Sequence, residues 1–194
     1  MPTNRGKQFE DKFKEDFKEI ITQNFYYIDK TNMINELLNN WSKVNLFTRP
    51  RRFGKSLNMD MLRTFFEKTE EDTSIYFKDK KIWAYGEKYQ ECQGKYPVIF
   101  LSFKDVKFNT WEETFEAFNE LFSKETARHT ELSKNDKLSA ADAKRVDNLL
   151  SGNSSAVDLS NALADLSRML HEYHGIAPII IIDEYDVLIR EQVP

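Results

Sequence analysis

Two short stretches, far apart in the chain, carry residue types that could handle phosphate. The first is Gly54-Lys55-Ser56, reached through Val44-Asn45-Leu46-Phe47 and then Thr48-Arg49-Pro50-Arg51-Arg52-Phe53. A glycine, a lysine and a hydroxyl at the start of a helix make an anion site. Backbone N–H groups converge there, and the helix dipole favours negative charge. Lys55 would reach the β- and γ-phosphates of a nucleotide, and the Ser56 hydroxyl would coordinate Mg²⁺. The second stretch is Asp183-Glu184, directly after Ile179-Ile180-Ile181-Ile182. Four isoleucines spell a buried strand, which delivers both carboxylates to the sheet edge where ligands bind. Asp183 would hold Mg²⁺, directly or through water, opposite Ser56. Glu184 would orient and deprotonate an attacking water, help worth on the order of 10²–10⁴ in rate.

Gly-Lys-Ser alone is a weak signal, and its context gives it weight: an apolar run before it, a helical pattern after it, and the acidic pair downstream. The loop departs from the usual G-x-x-x-x-G-K-[ST] pattern, because the first glycine is Arg49 here and Pro50 has no N–H to offer. The donors nearest the β-phosphate lie at the other end of the loop. Arg51 and Arg52 either add positive charge near the phosphates or pair with surface carboxylates. Arg51, Arg52, Phe53, Gly54, Lys55, Ser56 and Leu57 form the candidate cofactor-binding segment. Asp186 is a candidate supporting carboxylate, pointing the same way as Glu184 if the strand persists.

These groups need elements to position them. Phe9, Phe13, Phe17, Ile20 and Ile21 fall on one helical face over residues 7–22. Phe25–Ile28 reads as extended, Asp29-Lys30-Thr31 as the N-cap of a helix, and Met33, Ile34, Leu37, Leu38 and Trp41 as its apolar face. Val44–Phe47 reads as a short buried strand. Leu57, Met61, Leu62, Phe65 and Phe66 recur at helical spacing, which puts Gly54-Lys55-Ser56 at a helix N-terminus. Val98–Phe103 is a second buried strand. Thr110 and Glu113 form a capping box opening a helix with Trp111, Phe115, Phe118, Leu121 and Phe122. Residues 128–154 turn polar, as an exposed connection or loosely packed helices would. A last helix, with Val157, Leu159, Leu163, Leu166, Met169 and Leu170 inward, stops at Gly175. Strands separated by helices argue for an α/β layered fold with a mostly parallel sheet.

Bulk properties agree. The chain has 194 residues, 40% hydrophobic and 13% aromatic, enough for a domain with a real core. A net charge of −4 argues against a protein that coats nucleic acid, so any basic surface is local. Cys92, the only cysteine, excludes an intrachain disulfide and a cysteine zinc cluster and reads as a buried structural thiol. His129, His171 and His174 show no ligand spacing, and the last two suit a helix C-terminus. No apolar run is long enough to span a bilayer, and a reducing cytoplasmic setting is the default expectation.

In this arrangement the residues resemble the AAA-ATPase-like family of bacteria and archaea. Tyr26-Tyr27-Ile28-Asp29-Lys30-Thr31 resembles its extended lead-in, and Thr48-Arg49-Pro50-Arg51-Arg52-Phe53-Gly54-Lys55-Ser56-Leu57 its arginine-rich loop, in which the absent first glycine is a family trait. Tyr96–Val106 is similar to its second strand, and Ile182–Val187 to its Walker B segment. The resemblance covers about residues 17–192. It implies a P-loop NTPase core of three layers, α/β/α, with ATP and Mg²⁺ as ligands. Residues 1–24 would be a helical lead, and 25–194 the N-terminal part of the P-loop domain. The expectation is that the core is cut short after the Walker B strand, with strands four and five still to come and strand four belonging between the loop strand and the Walker B strand. Many members continue into a region resembling a PD-(D/E)XK nuclease.

Three functions compete at this point. One is an ATPase in which Lys55 and Glu184 are catalytic. Another is a nucleotide-gated module that binds a protein partner or a second copy without turnover. The third is the ATPase part of a nuclease-linked protein that acts on nucleic acid through Arg49, Arg51, Arg52 and Lys55. The acidic composition favours use of those cations on ATP, and Glu184 beside Asp183 suits water activation better than a kinase.

Overall fold

The computed structural model of the chain describes residues 16–40, 42–48, 53–106 and 110–186. Its chain order is α1 (Phe17–Thr22), α2 (Asn32–Asn39), α3 (Lys55–Phe66), a 3₁₀ turn (Thr73–Tyr76), α4 (Lys81–Ala84), α5 (Glu87–Gln90) and β1 (Val98–Ser102). There follow α6 (Trp111–Arg128), α7 (Thr130–Ser133), α8 (Ala140–Ser151), α9 (Ala156–His174) and β2 (Ile179–Asp183).

The two strands pair in parallel, with Val98 opposite Ile179 and Ser102 opposite Asp183. Parallel neighbours need a long crossover, and α6 to α9 supply it. Alternation along β1 then divides the core in two. Val98 joins a cluster built from α1, α2, α3 and the 3₁₀ turn, including Phe17, Ile34, Met61, Phe65 and Phe77. Ile99 and Leu101 join a second cluster with Phe122, Val146, Leu166, Met169 and Leu170 from α6, α8 and α9. β1 therefore lies between two groups of helices, while β2 packs on the first alone. The result is a mixed α/β architecture around a small two-stranded parallel sheet. On β2, Ile181 is buried among the first cluster, while Ile180 and Ile182 are 41% and 39% exposed on the opposite face.

α3 is buried over most of its length, from Asn58 through Phe66. Two polar contacts fix it. Asp60 is buried and accepts from the Phe17 N–H at 2.7 Å, so it caps α1 while pairing with Arg63. At its other end, the Phe65 and Phe66 carbonyls accept from Gly94 N–H and Tyr96 N–H, tying α3 to the approach to β1.

Several sequence expectations need correction. Val44–Phe47 forms no strand: it pairs with neither β1 nor β2, and Val44 is 84% and Leu46 68% exposed. A short segment such as Val-Asn-Leu-Phe becomes a strand only when a neighbour supplies the ladder, and here only Phe47 packs on the core. Residues 128–154 are better ordered than their polarity suggests, because Leu132, Val146 and Leu149 are spaced to bury against α6 and α9. Val157, expected inward, is 70% exposed at the start of α9. Cys92 is only partly buried, its Sγ 3.5 Å from the Lys88 carbonyl. Trp41 and the first part of the expected 7–22 helix lie outside the described residues. The helix boundaries at Thr110, which accepts from the Glu113 N–H, and at Gly175, with φ of 70°, are as expected.

Candidate functional site

Gly54 is the N-cap of α3 and sits at φ 70°, a left-handed conformation that side chains other than glycine seldom adopt. Its carbonyl accepts the first intrahelical bond, from Asn58 N–H at 3.1 Å. That leaves the N–H groups of Lys55, Ser56 and Leu57 without an acceptor inside the helix. α6, α8 and α9 each begin with a hydroxyl that caps the first turn, whereas α3 has no side-chain cap. Leu57 turns its side chain onto the first core cluster, so only its backbone faces the loop. Phe53 is 61% exposed. Arg51 and Arg52, with Arg49 and Pro50, lie outside the described residues.

The two stretches singled out in the sequence meet. Lys55 Nζ lies 3.8 Å from Asp183 Oδ1 and 3.8 Å from Asp186 Oδ1. It also lies 5.4 Å from the centre of the Tyr185 ring, within cation–π range. β2 ends at Asp183, and Glu184 follows at φ 55°. This residue is left-handed although it is not glycine, a conformation that costs energy and gathers at functional sites. The turn ends the strand before Asp186, so Asp186 comes back toward Lys55 instead of continuing the alternation from Glu184.

Asp183 is 2% exposed, and its Oδ1 is buried without a hydrogen-bond donor. Buried carboxylate oxygens are otherwise nearly always satisfied. An oxygen left this way, facing the N-terminus of α3 with Ser56 in its first turn, fits a divalent cation, which prefers oxygen ligands. Among the described residues there is no group of three or more His, Cys, Asp or Glu side chains that could hold a metal unaided.

A third segment, the lead-in that holds Asp29, Lys30 and Thr31, also approaches the loop. Asp29 Oδ1 accepts from the Thr31 N–H at 2.9 Å and the Thr31 hydroxyl at 2.7 Å, and Oδ2 accepts from the Lys81 N–H at 2.8 Å. Thr31, fully buried, accepts in turn from the Ile82 N–H at 3.1 Å. Burial would raise the Asp29 carboxyl, but these hydrogen bonds hold it below its ordinary value. Asp29 and Thr31 thus join the start of α2 to the start of α4, and Lys30 between them reaches the loop, its Nζ 3.5 Å from the Phe53 carbonyl. The expected N-cap does not form, since Thr31 makes no side-chain cap on α2; both side chains bond instead to each other and to the start of α4, and only the tertiary structure places Lys30. A recess lined by Ile21, Phe25, Tyr26, Tyr27, Asp29 and Lys80 lies beside the same lead-in and does not include Lys55 or Asp183.

His129, which shows no ligand spacing along the chain, is buried in a charge network. Its Nε2 is 3.2 Å from Glu125 and its Nδ1 3.4 Å from Glu131, which His174 also meets at 3.1 Å. Arg128 pairs with Glu125 at 2.7 Å and with Glu67 at the end of α3. Glu125 also accepts from the Phe100 N–H of β1 at 2.8 Å. These partners come from α3, β1, α6, α7 and α9, and no local motif announces them.

The fold and the paired motifs define a class before they define a protein: an α/β chain in which a glycine-lysine-serine helix start meets the acidic end of a parallel strand. The chain belongs to the AAA-ATPase-like family, whose model, described as a predicted AAA-ATPase, matches residues 14–193. No curated protein and no solved structure gives a match. Among the described residues no helix is long and apolar enough to cross a membrane.

Proposed function

We propose that this chain binds Mg-ATP between the N-terminus of α3 and the C-terminal end of β2, and that Glu184 activates water for hydrolysis. The observation that carries this reading is the meeting of Lys55 with Asp183 across the sheet edge at 3.8 Å. The open N–H groups of Lys55, Ser56 and Leu57 would receive the phosphate chain, which exchanges water for fixed donors in a preorganised position. Lys55 would turn from the carboxylates onto the β- and γ-phosphates. Ser56 and Asp183 would hold Mg²⁺, which when bound offsets charge on the phosphate oxygens. Glu184, which follows the strand at a left-handed backbone position, would take a proton from water. Arg51 and Arg52 are proposed as further phosphate contacts.

The test is calorimetric titration of Mg-ATP into the chain and into Lys55→Ala, followed by phosphate release from wild type and Glu184→Gln. The expected result is binding to the wild type, none to Lys55→Ala, and retained binding with lost turnover in Glu184→Gln. Undiminished hydrolysis by Glu184→Gln would remove it from the catalytic role. Binding without phosphate release from the wild type would favour a nucleotide-gated module over an ATPase.

A further inference from the structure

We infer that Lys30 is a second nucleotide-binding lysine, contacting the phosphate chain beside the turn that opens α3. The inference rests on the reading of the loop as an ATP site and adds a residue that the loop itself does not contain. Three observations support it. Lys30 Nζ sits over the turn that opens α3, 3.5 Å from the Phe53 carbonyl and 3.7 Å from where a Cβ on Gly54 would lie. That hydrogen bond is at the outer limit of length and contributes little, so it leaves the ammonium free to exchange it for a stronger acceptor. Lys30 is also half-buried, and among the described residues no carboxylate lies within ion-pair distance of it. Lys55, by contrast, has Asp183 and Asp186. A partly desolvated cation without a counter-charge, beside a helix start whose first N–H groups are open, is arranged for an anion.

The backbone around Lys30 explains why it stays there. Its own N–H is 3.4 Å from the Tyr27 hydroxyl, which donates to Met61 Sδ on α3 at 3.3 Å. Asp29 and Thr31 are fixed to α4 on the other side. The residue is therefore held from both flanks while its side chain carries no ion pair among the described residues. Little ordering remains to be done when a phosphate arrives.

The experiment uses the full chain as wild type, Lys30→Gln, Lys30→Arg and Lys55→Ala, titrated with Mg-ATP, Mg-ADP, AMP and adenosine. Lys30→Gln should weaken Mg-ATP by roughly ten- to a hundredfold, the range for a hydrogen bond to a charged group, and leave adenosine unchanged. Lys30→Arg should retain most of the affinity, and the salt dependence of ATP binding should be shallower in Lys30→Gln. A residue that merely braced the loop would shift all four ligands alike. Independently of any variant, Mg-ATP should protect Lys30 from acetylation in the wild type more than adenosine does, read by mass spectrometry. If Lys30→Gln binds Mg-ATP within about twofold of wild type while Lys55→Ala does not bind, Lys30 has no such role and the ATP site stands. Acetylation of Lys30 unaffected by Mg-ATP would exclude the role equally. A folded wild type that binds no nucleotide, or Lys55→Ala binding as tightly as wild type, overturns the site and Lys30 with it.

Discussion

Glu125→Gln isolates what one buried carboxylate does for the layer packed on β1. The glutamine keeps the size of the side chain and an oxygen for the Phe100 N–H, but removes the charge that faces His129 and Arg128. Burial pulls the His129 pKa down, yet the hydrogen bonds and charges of Glu125 and Glu131 outweigh it and raise the value to about 9. The folded value thus stands above the unfolded one, so the stabilisation is fully present below about pH 6.5 and is lost as pH rises through about 9. A shift of that size sets a ceiling of roughly 3 kcal/mol. Glu125 and Glu131 share it, so Glu125→Gln should forfeit about 1–2 kcal/mol of it near pH 6. Near pH 10, with His129 neutral in both proteins, that part of the gap should close and leave only what Arg128 loses. Urea denaturation at the two pH values, with unchanged slope, reads the gap, and an NMR titration of the His129 ring reads its cause. A gap of equal size at both pH values, or a His129 that titrates alike in both proteins, would refute the argument.

Other expectations follow from the same contacts. Burial would raise Glu131, but its bonds to His129, a backbone N–H and His174 hold it down to about 2; its contribution is present above about pH 4.5 and lost as pH falls through about 2, so Glu131→Gln should lose near-UV dichroism at a higher pH than wild type on acid titration. Glu184→Gly removes the side chain from a left-handed position and should raise stability by about 1 kcal/mol in denaturant melts while abolishing phosphate release. Phe65→Ala, at a fully buried ring in edge contact with Phe66 and Phe77, should cost about 3–5 kcal/mol by the same melts. Ser155→Ala breaks the capping box with Asp158 and should cost about 1 kcal/mol.

Local pattern makes some parts of this protein legible and leaves others hidden. Helical spacing in Leu57–Phe66 and in α9 announces both helices, and their glycines at positions 54 and 175 mark where they begin and end. Val98–Ser102 and Ile179–Asp183 are readable as strands because strands covered on both faces are apolar throughout, although β2 is bare on one face. Val44–Phe47, interrupted by Asn45, reads as a strand from its apolar residues and forms no ladder, because pairing depends on a neighbour that a local run cannot reveal. The residues of the candidate site are legible from their chemistry, and the structure adds that Lys55 rests on Asp183 and Asp186. Lys30 and the Glu67–Glu125–Arg128–His129–Glu131–His174 network are hidden for a common reason. Glu125, Arg128 and His129 do stand at helical spacing, but what ties them to Glu67, Glu131 and His174, and Lys30 to the loop, is where side chains end up across elements.

The bond between Phe100 N–H and Glu125 makes the two borders of the sheet unlike. On β1, the Glu125 side chain occupies one of the backbone donors that a further strand would use, that of Phe100. On β2, among the described residues, nothing pairs beyond Ile179–Asp183, and the border is four isoleucines with no lysine or proline to repel a neighbour. Strand pairing in a partly unfolded sample is therefore easier at the β2 border than beside Phe100. It would run through β2, end to end or side by side, and a lysine at Ile180 or Ile182 would be the substitution to keep such samples in solution.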